Sequence, residues 1–570
     1  MIKEEIKKKL KTALKKINIE VDKKLIDLQP PKISSFGDYS TSISLRLAKT
    51  LKKNPMEIGG QIKQFFKKNE IIEKFDISPP GFINFWLSKK FLLSNLEQIG
   101  QNIISFPCFS FGKNKKILIE YAQPNTHKLF HIGHLRNITL GEALARIFEA
   151  LGNKVIRSNY QGDVGLHIAK CLWAIKKEQE KEKSLLQKFK TLTEKIDFIG
   201  KMYTKGNKAY EEDEKIKQEI IEINKQIYKK DKKIFNLWQK TRKWSLDYFE
   251  KIYKRLDTKF DRLFFESEMS KYAILICKKA LKKGILEKSQ GAIVFNGKKY
   301  GLDTRVFINS LGFPTYEGKE LALAKKEFSE FGKIDKAFHL TTPEQKSFFK
   351  VTFKVEELID PKKFKDKQRH LIYEWVKLKE GKMSSREGNV IEANWIIDEV
   401  KKKILTDFKI DEETAENIAV ASIKYAFLKT SPANSIYFDI KESISLKGNS
   451  GPYLLYTYIR AKSVLKKEKT LKKNKVYLPL TLNKEEDDLL RFFNLFGEAV
   501  LNSALYFSPH YICQYLYELS QKFNLFYEQY PILKENDENL KTFRILITKA
   551  TANILKKGFF ILGIKTVDKM

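Results

Sequence analysis

Apolar residues recur at three- to four-residue spacing over 2–17, 40–52 and 55–68, and each stretch predicts an amphipathic helix. The turn signal Ser78-Pro79-Pro80-Gly81 precedes Phe82-Ile83-Asn84-Phe85-Trp86-Leu87-Ser88, which reads as a strand. Residues 1 to 108 therefore read as a small α+β unit. A basic linker, Phe111 to Lys116, leads into a second unit. It opens with a run at 117–122 that predicts a buried strand. After a loop, Leu140, Leu144, Ile147, Phe148 and Leu151 keep helical spacing, and Gly152 supplies a left-handed C-terminal cap. Residues 154–160 read as the next strand. Strand, helix and strand in so short a span make a βαβ unit with a parallel, right-handed crossover.

Residues 172–258 are long, Lys/Glu-rich and helical in pattern, an insertion between the halves of this α/β unit. Beyond about 400 the pattern is almost all helical. Ser508-Pro509 reads as an N-cap with proline at the first helical position. The stripe Tyr511, Tyr515, Leu519, Phe523 and Phe526 on that helix reads as core rather than as a base-stacking surface. The division expected is 1–108, 109–440 and 441–570.

Composition fits this picture. The 570 residues exceed one core, and 42% hydrophobic content excludes a disordered chain. Lys+Arg number 107 and Asp+Glu 70, so the net charge is 107 − 70 = +37, which implies a polyanionic partner such as nucleic acid. Cys108, Cys171, Cys277 and Cys513 are scattered, with no Cys-x-x-Cys, so neither a zinc knuckle nor a disulfide framework is indicated. The N-terminus lacks the apolar region of a signal peptide, and no apolar run is long enough to span a bilayer. A cytoplasmic protein without a membrane role is expected.

Two segments carry chemistry. The loop from Pro124 to His134 lies between the first strand and its helix, the ligand position of an open α/β sheet. A helix N-terminus there offers free N–H groups to an anion. His131 and His134 add imidazole donors, Lys128 adds charge, and Gly133 leaves room for a flat base. Three of the seven histidines, His127, His131 and His134, fall within eight residues, which disfavours a purely structural reading. No Asp, Glu or Cys stands beside them at ligand spacing, so no metal site is assigned. The second segment runs from Gly381 to Asn389. Lys382 and Arg386 can neutralise charge on a phosphate in flight, and Ser384 and Ser385 can add hydrogen bonds.

HIGH followed by KMSSR resembles the paired signatures of class I aminoacyl-tRNA synthetases. The longer strings resemble arginyl-tRNA synthetases: IEYAQPNTHKLFHIGHLRN (119–137), VIRSNYQGDVG (155–165), FGDYSTSISLRLAK (36–49), PGFINF (80–85), FPTYEGKELALAK (313–325) and ILGIKTVDKM (561–570). The similarity spans nearly the whole chain. It implies an N-terminal domain that contacts tRNA through Tyr39, a Rossmann-like catalytic domain and an all-helical anticodon-binding bundle. It implies ATP, magnesium, L-arginine and tRNA(Arg), in a monomer. By the family pattern Lys128, His131, His134 and Lys382 are catalytic. Gly133, Met383, Ser384, Ser385 and Arg386 would bind ATP. Glu120, Asn125, Tyr316, Glu320 and Gln345 would bind arginine, Gln345 from the strand after Glu320. In GNSGPYLLYTYIRAKSVL (448–465), Tyr453, Tyr456, Tyr458 and Arg460 could stack on bases.

There are departures. Glu320 stands where the family usually has Asp, Arg386 is not Lys, and His167 stands where Gln is common. The insertion shows no residues resembling an editing domain, which fits a substrate that a polar pocket can select alone. A class I synthetase for another amino acid, a small-molecule nucleotidyltransferase and a non-catalytic tRNA-binding paralogue are the alternatives.

Overall fold

The computed structural model describes residues 2–31, 33–101, 114–379, 391–468, 479 and 481–570, without the side chains of 24 and 34. Contacts group the chain into two units. One holds 1–110, 454–501 and 514–558, and the other holds 111–453, 502–513 and 559–570.

The larger unit is built on five parallel strands: β1 Lys116–Glu120, β2 Lys154–Gln161, β3 Arg262–Phe265, β4 Lys336–Thr341 and β5 Gln368–Ile372. Their spatial order is β5-β4-β1-β2-β3. The order runs outward in both directions from β1, so the switch point falls between β1 and β4. Ligands of open parallel sheets bind at the carboxyl ends of such strands. β1 is buried along Ile117 to Glu120, as the apolar run requires. Helix α1, Ile132–Ala150, follows it and is buried on nearly all sides, which explains its weak amphipathic pattern. Gly152 takes φ +82 after this helix, the left-handed position expected of it.

Between β2 and β3 run α2 (Leu166–Lys181), α3 (Leu192–Glu212), α4 (Glu214–Lys229) and α5 (Lys232–Arg255), so the insertion is helical as read. After β3 come α6 (Glu266–Lys282), a three-stranded antiparallel sheet (287–308), α7 (Tyr316–Glu330) and, past β4, α8 (Lys346–Ile359).

The smaller unit has helices Ile2–Lys16, Ile43–Leu51 and Pro55–Phe65 where the periodicity put them, and the strand Phe82–Leu87. That strand is the middle of three antiparallel strands. Its partners, 39–41 and 72–78, escaped the sequence reading because neither alternates cleanly. The helix His510–Gln529 begins just after Ser508-Pro509. Within it Tyr515, Leu519, Phe523 and Phe526 are buried, so the aromatic stripe is core. Among the described residues no helix is long and apolar enough to cross a membrane.

Candidate active site

The loop from β1 to α1 holds three non-glycine residues at positive φ: Ala122, Gln123 and His127. Strain of this kind persists only where surrounding bonds over-determine it. Those bonds are present. Ala122 N–H donates to Asn137 Oδ1, 2.6 Å, and Thr126 N–H to the Gly162 carbonyl, 2.8 Å. His127 is fully buried, with ring nitrogens 3.1 Å from Thr126 Oγ1 and 2.7 Å from Thr241 Oγ1 of α5. Burial, helped by Arg242, pulls His127 down to about 3. This histidine anchors the loop to the insertion.

His131 is the N-cap of α1. Gly133 N–H donates to His131 Nδ1, 3.1 Å, and His131 N–H donates to His134 Nδ1, 3.2 Å. Each Nδ1 is thus an acceptor, so each ring carries its proton on Nε2. Burial, with Lys128 beside it, lowers His131 to about 4, and burial with His131 pushes His134 well below its usual value. Both are neutral donors at physiological pH, their rings 3.8 Å apart between centroids. A Cβ at Gly133 would sit 2.9 Å from the His131 ring, so the glycine makes room for that imidazole. Lys128 Nζ lies 5.2 Å from the Tyr203 ring of α3.

Lys382, Met383, Ser384, Ser385 and Arg386 lie outside the described residues. The residues after them are tied to the histidine loop. Ile132 N–H donates to the Ile391 carbonyl, 2.9 Å, Ala393 N–H to the Phe130 carbonyl, 2.8 Å, and Tyr248 of α5 holds Glu392 at 2.9 Å.

At the switch point the chemistry reverses sign. Glu120 ends β1 and is 2% exposed. Tyr316 and Glu320 are both on α7 and share its face through i,i+4 spacing. Glu320 is 4% exposed, and its Oε1 has no hydrogen-bond partner. One oxygen of each of Glu120 and Glu320 and one nitrogen of His339 lie within 4.8 Å of one another. Burial, then the neighbouring Glu120, Glu356, Glu327 and Glu266, push Glu320 well above the carboxylate range. Glu266 is paired with Lys319, and Asp163 with Arg242 at 2.7 Å. Tyr160 is partly buried, and its shielded hydroxyl has no partner. Asn125 bridges to Gly162, where any Cβ would collide with the Asn125 Oδ1. Backbone at Gly162 and the amide of Asn125 thus share one small space beside the acidic cluster.

Three expectations need correction. Gln345 is exposed on a short 3-10 turn after β4, not on a strand. Tyr39 is 1% exposed and donates its hydroxyl to Glu498, 2.7 Å, so it is a packing residue and offers nothing to RNA. Tyr458 is likewise buried at 4%. Tyr456 is exposed with the Arg460 guanidinium 5.0 Å from its ring, and Tyr453 is half-buried.

Sequence reasoning missed His339, Glu356, Gln368 and Arg136. Arg136 is buried on α1 and donates to the carbonyls of Trp375, 3.0 Å, and Asn434, 2.9 Å. A charged residue inside an apolar helix or strand was the available signal for Arg136 and His339 alike.

Known proteins with this pattern are synthetases. The family described as tRNA synthetases class I (R), catalytic domain, matches residues 104–440. The DALR anticodon binding domain matches 454–570, and the arginyl tRNA synthetase N terminal domain matches 4–87. The Arginine–tRNA ligase of Bdellovibrio bacteriovorus is 32% identical, covering 95% of this chain and 94% of that one. The one from Borreliella burgdorferi is 32% identical over 99% of both. The arginyl-tRNA synthetase of Thermus thermophilus has the same fold, with a TM-score of 0.82 at 24% identity over the whole of both chains.

Proposed function

The chain belongs to the class I tRNA synthetases of the arginyl family, and from that premise we propose how its own residues divide the work of an arginine–tRNA ligase. The reaction joins L-arginine to ATP as arginyl-adenylate, with loss of pyrophosphate, and then moves arginine to the 3′-terminal adenosine of tRNA(Arg), with loss of AMP.

The observation that carries the assignment is Glu320, buried against Glu120 with its Oε1 unpartnered. A buried carboxyl group without a partner is costly, and a cation that brings its own donors relieves that cost. Guanidinium is planar, always charged and rich in N–H groups, which suits two convergent carboxylates. Glu320 reaches this cluster with the longer arm, so the pocket accepts Glu where the family has Asp. Asn125 holds the amino-acid head group, and Tyr316, 58% exposed, stands at the mouth. Gln345 closes the same end from its turn.

ATP lies over the N-terminus of α1. The arginine carboxylate attacks the α-phosphorus, and negative charge grows on the phosphate oxygens. His131 and His134 meet that charge as Nε2–H donors, with the Lys128 ammonium and the positive end of the helix dipole. Gly133 borders the adenine. The clamp on pyrophosphate assigned to Lys382, Met383, Ser384, Ser385 and Arg386 rests on their sequence. Magnesium would neutralise the phosphates as they separate. Among the described residues the one three-ligand cluster is Glu120, Glu320 and His339. Its nitrogen donor and full burial suit guanidinium better than a hydrated, oxygen-seeking magnesium ion, so the ion belongs with ATP. Transfer to the ribose hydroxyl then needs positioning more than acid–base help.

Tyr456 and Arg460, with Tyr453 beside them, are proposed to meet anticodon bases through stacking. We propose further that the enzyme works as a monomer in the cytoplasm, as the family resemblance implies. Glu320→Gln tests the assignment. It should raise the Michaelis constant for arginine roughly a hundredfold, the cost of losing one partner of a buried charged pair, and leave that for ATP nearly unchanged. Equal effects on both would remove Glu320 from the guanidinium pocket.

A further inference from the structure

Glu120 has an answer to its charge that Glu320 lacks. His339 lies on β4, in register with Glu120 on β1, and is fully buried. Its Nδ1 is 2.8 Å from Glu120 Oε2, and its Nε2 is 3.1 Å from Gln368 Oε1. Both partners are oxygens. A carboxylate only accepts hydrogen bonds. Gln368, on β5, donates its amide nitrogen to Glu356 of α8, which turns its amide oxygen toward the ring. An imidazole with an acceptor at each nitrogen satisfies both only as imidazolium.

The surroundings agree. Burial opposes a charge on His339, but the hydrogen bond and charge of Glu120, then Glu356, outweigh it and raise His339 above its ordinary value. The rings of Phe349 and Phe353 on α8 flank the imidazole at 5.3 and 5.2 Å. His370 of β5 is paired in register with it, and burial and the His339 charge hold it near 4, hence neutral. From α7 come Glu320 and Glu327, both pushed up by burial. Burial also lifts Glu356 to about 8.

We propose that His339 is the fixed counter-cation of Glu120, a positioning residue that neutralises one of the pocket's two carboxylates and leaves Glu320 alone to ionise against the incoming guanidinium. The proposal rests on the reading of this pocket as the arginine site. The charges then close. The empty pocket holds Glu120 as carboxylate, His339 as imidazolium and Glu320 as the neutral acid. When arginine enters, the Glu320 O–H bond breaks, its electron pair stays on the carboxylate and the proton leaves to buffer. The filled pocket has two anions and two cations. A neutral side chain cannot drive this ionisation, and a dication exceeds it, so the device selects a single positive charge.

The test is arginine binding to the full-length enzyme by titration calorimetry in buffers of different ionisation heat. Wild type should release about one proton per arginine near neutral pH, and its arginine Michaelis constant should fall about tenfold per pH unit as pH rises below the Glu320 value. In His339→Asn the amide keeps a donor toward Glu120 but carries no charge. Glu320 then stays protonated, proton release drops to about zero, and the pH slope flattens. Gln368→Leu removes the acceptor at Nε2 without touching the contact to Glu120 and should move both readouts the same way, even where His339→Asn does not fold. If both variants match wild type in proton release and slope, the proposal is overturned. That is the outcome if a protonated Glu356 turns the Gln368 amide round and leaves His339 neutral. Failure of wild type to bind arginine at all would instead sink the reading of the pocket.

Discussion

The two ends of this site use histidine in opposite ways. At the start of α1, backbone N–H groups take Nδ1 of His131 and His134, and burial keeps both rings neutral, each with its proton on Nε2. At the switch point, side-chain oxygens flank both nitrogens of His339, and its partner is a buried carboxylate. In the proposed reading the first end gathers donors for the polyanionic triphosphate of ATP. The second gathers acceptors for a cation. Proton state follows from what each ring nitrogen faces, not from the residue type.

The sharpest way to break this contrast is Glu120→Gln. It strips a carboxylate from the cation end and, with it, the main charge that favours the protonated His339. The arginine Michaelis constant should rise by roughly two to three orders of magnitude, as expected for breaking a buried charged pair. A comparable rise for ATP would mean that the ends are not separate. His134→Ala acts on the other end. It should cut the turnover number about a hundredfold, the usual effect of one transition-state donor, with tRNA affinity little changed. Loss of tRNA binding instead would make His134 structural. A milder change is His127→Ala, which takes away the ring bonds to Thr126 and Thr241. It should lower unfolding stability by about 1–3 kcal/mol with both Michaelis constants preserved, measured by thermal unfolding and steady-state rates.

The last effect is on acid stability. The unfolded chain takes up imidazole protons as pH falls through 6.5, while folded His131 resists until about 4 and His127 until about 3. The unfolded state therefore binds more protons in that window, and stability should decline as pH drops from 6.5 toward 4. His127→Ala should shallow that decline; an unchanged slope would mean His127 is not held neutral.

Much of this was legible before any coordinates. Strand β1, its loop, helix α1 and strand β2 follow from an apolar run, a helical period and a capping glycine, all local signals. Glu120, Asn125, Tyr316 and Glu320 came from longer strings that resemble one family. What the sequence hid is the pairing across strands. His339 and Glu120 are 219 positions apart, and only the parallel register of β1 and β4 brings them together. Tyr39 misled for a similar reason, since its partner Glu498 is 459 positions away. His127 sat inside a histidine cluster that looked wholly functional, and only α5 reveals its separate role.

In the proposed reading the acidic pocket beside the histidine loop selects arginine for activation. ATP–pyrophosphate exchange across a panel of amino acids, with and without tRNA, measures this directly. Exchange with arginine should stand far above that with lysine, glutamine and the neutral amino acids, and should depend on tRNA. Exchange with another amino acid at equal or greater efficiency, or none with arginine under any condition, would contradict it.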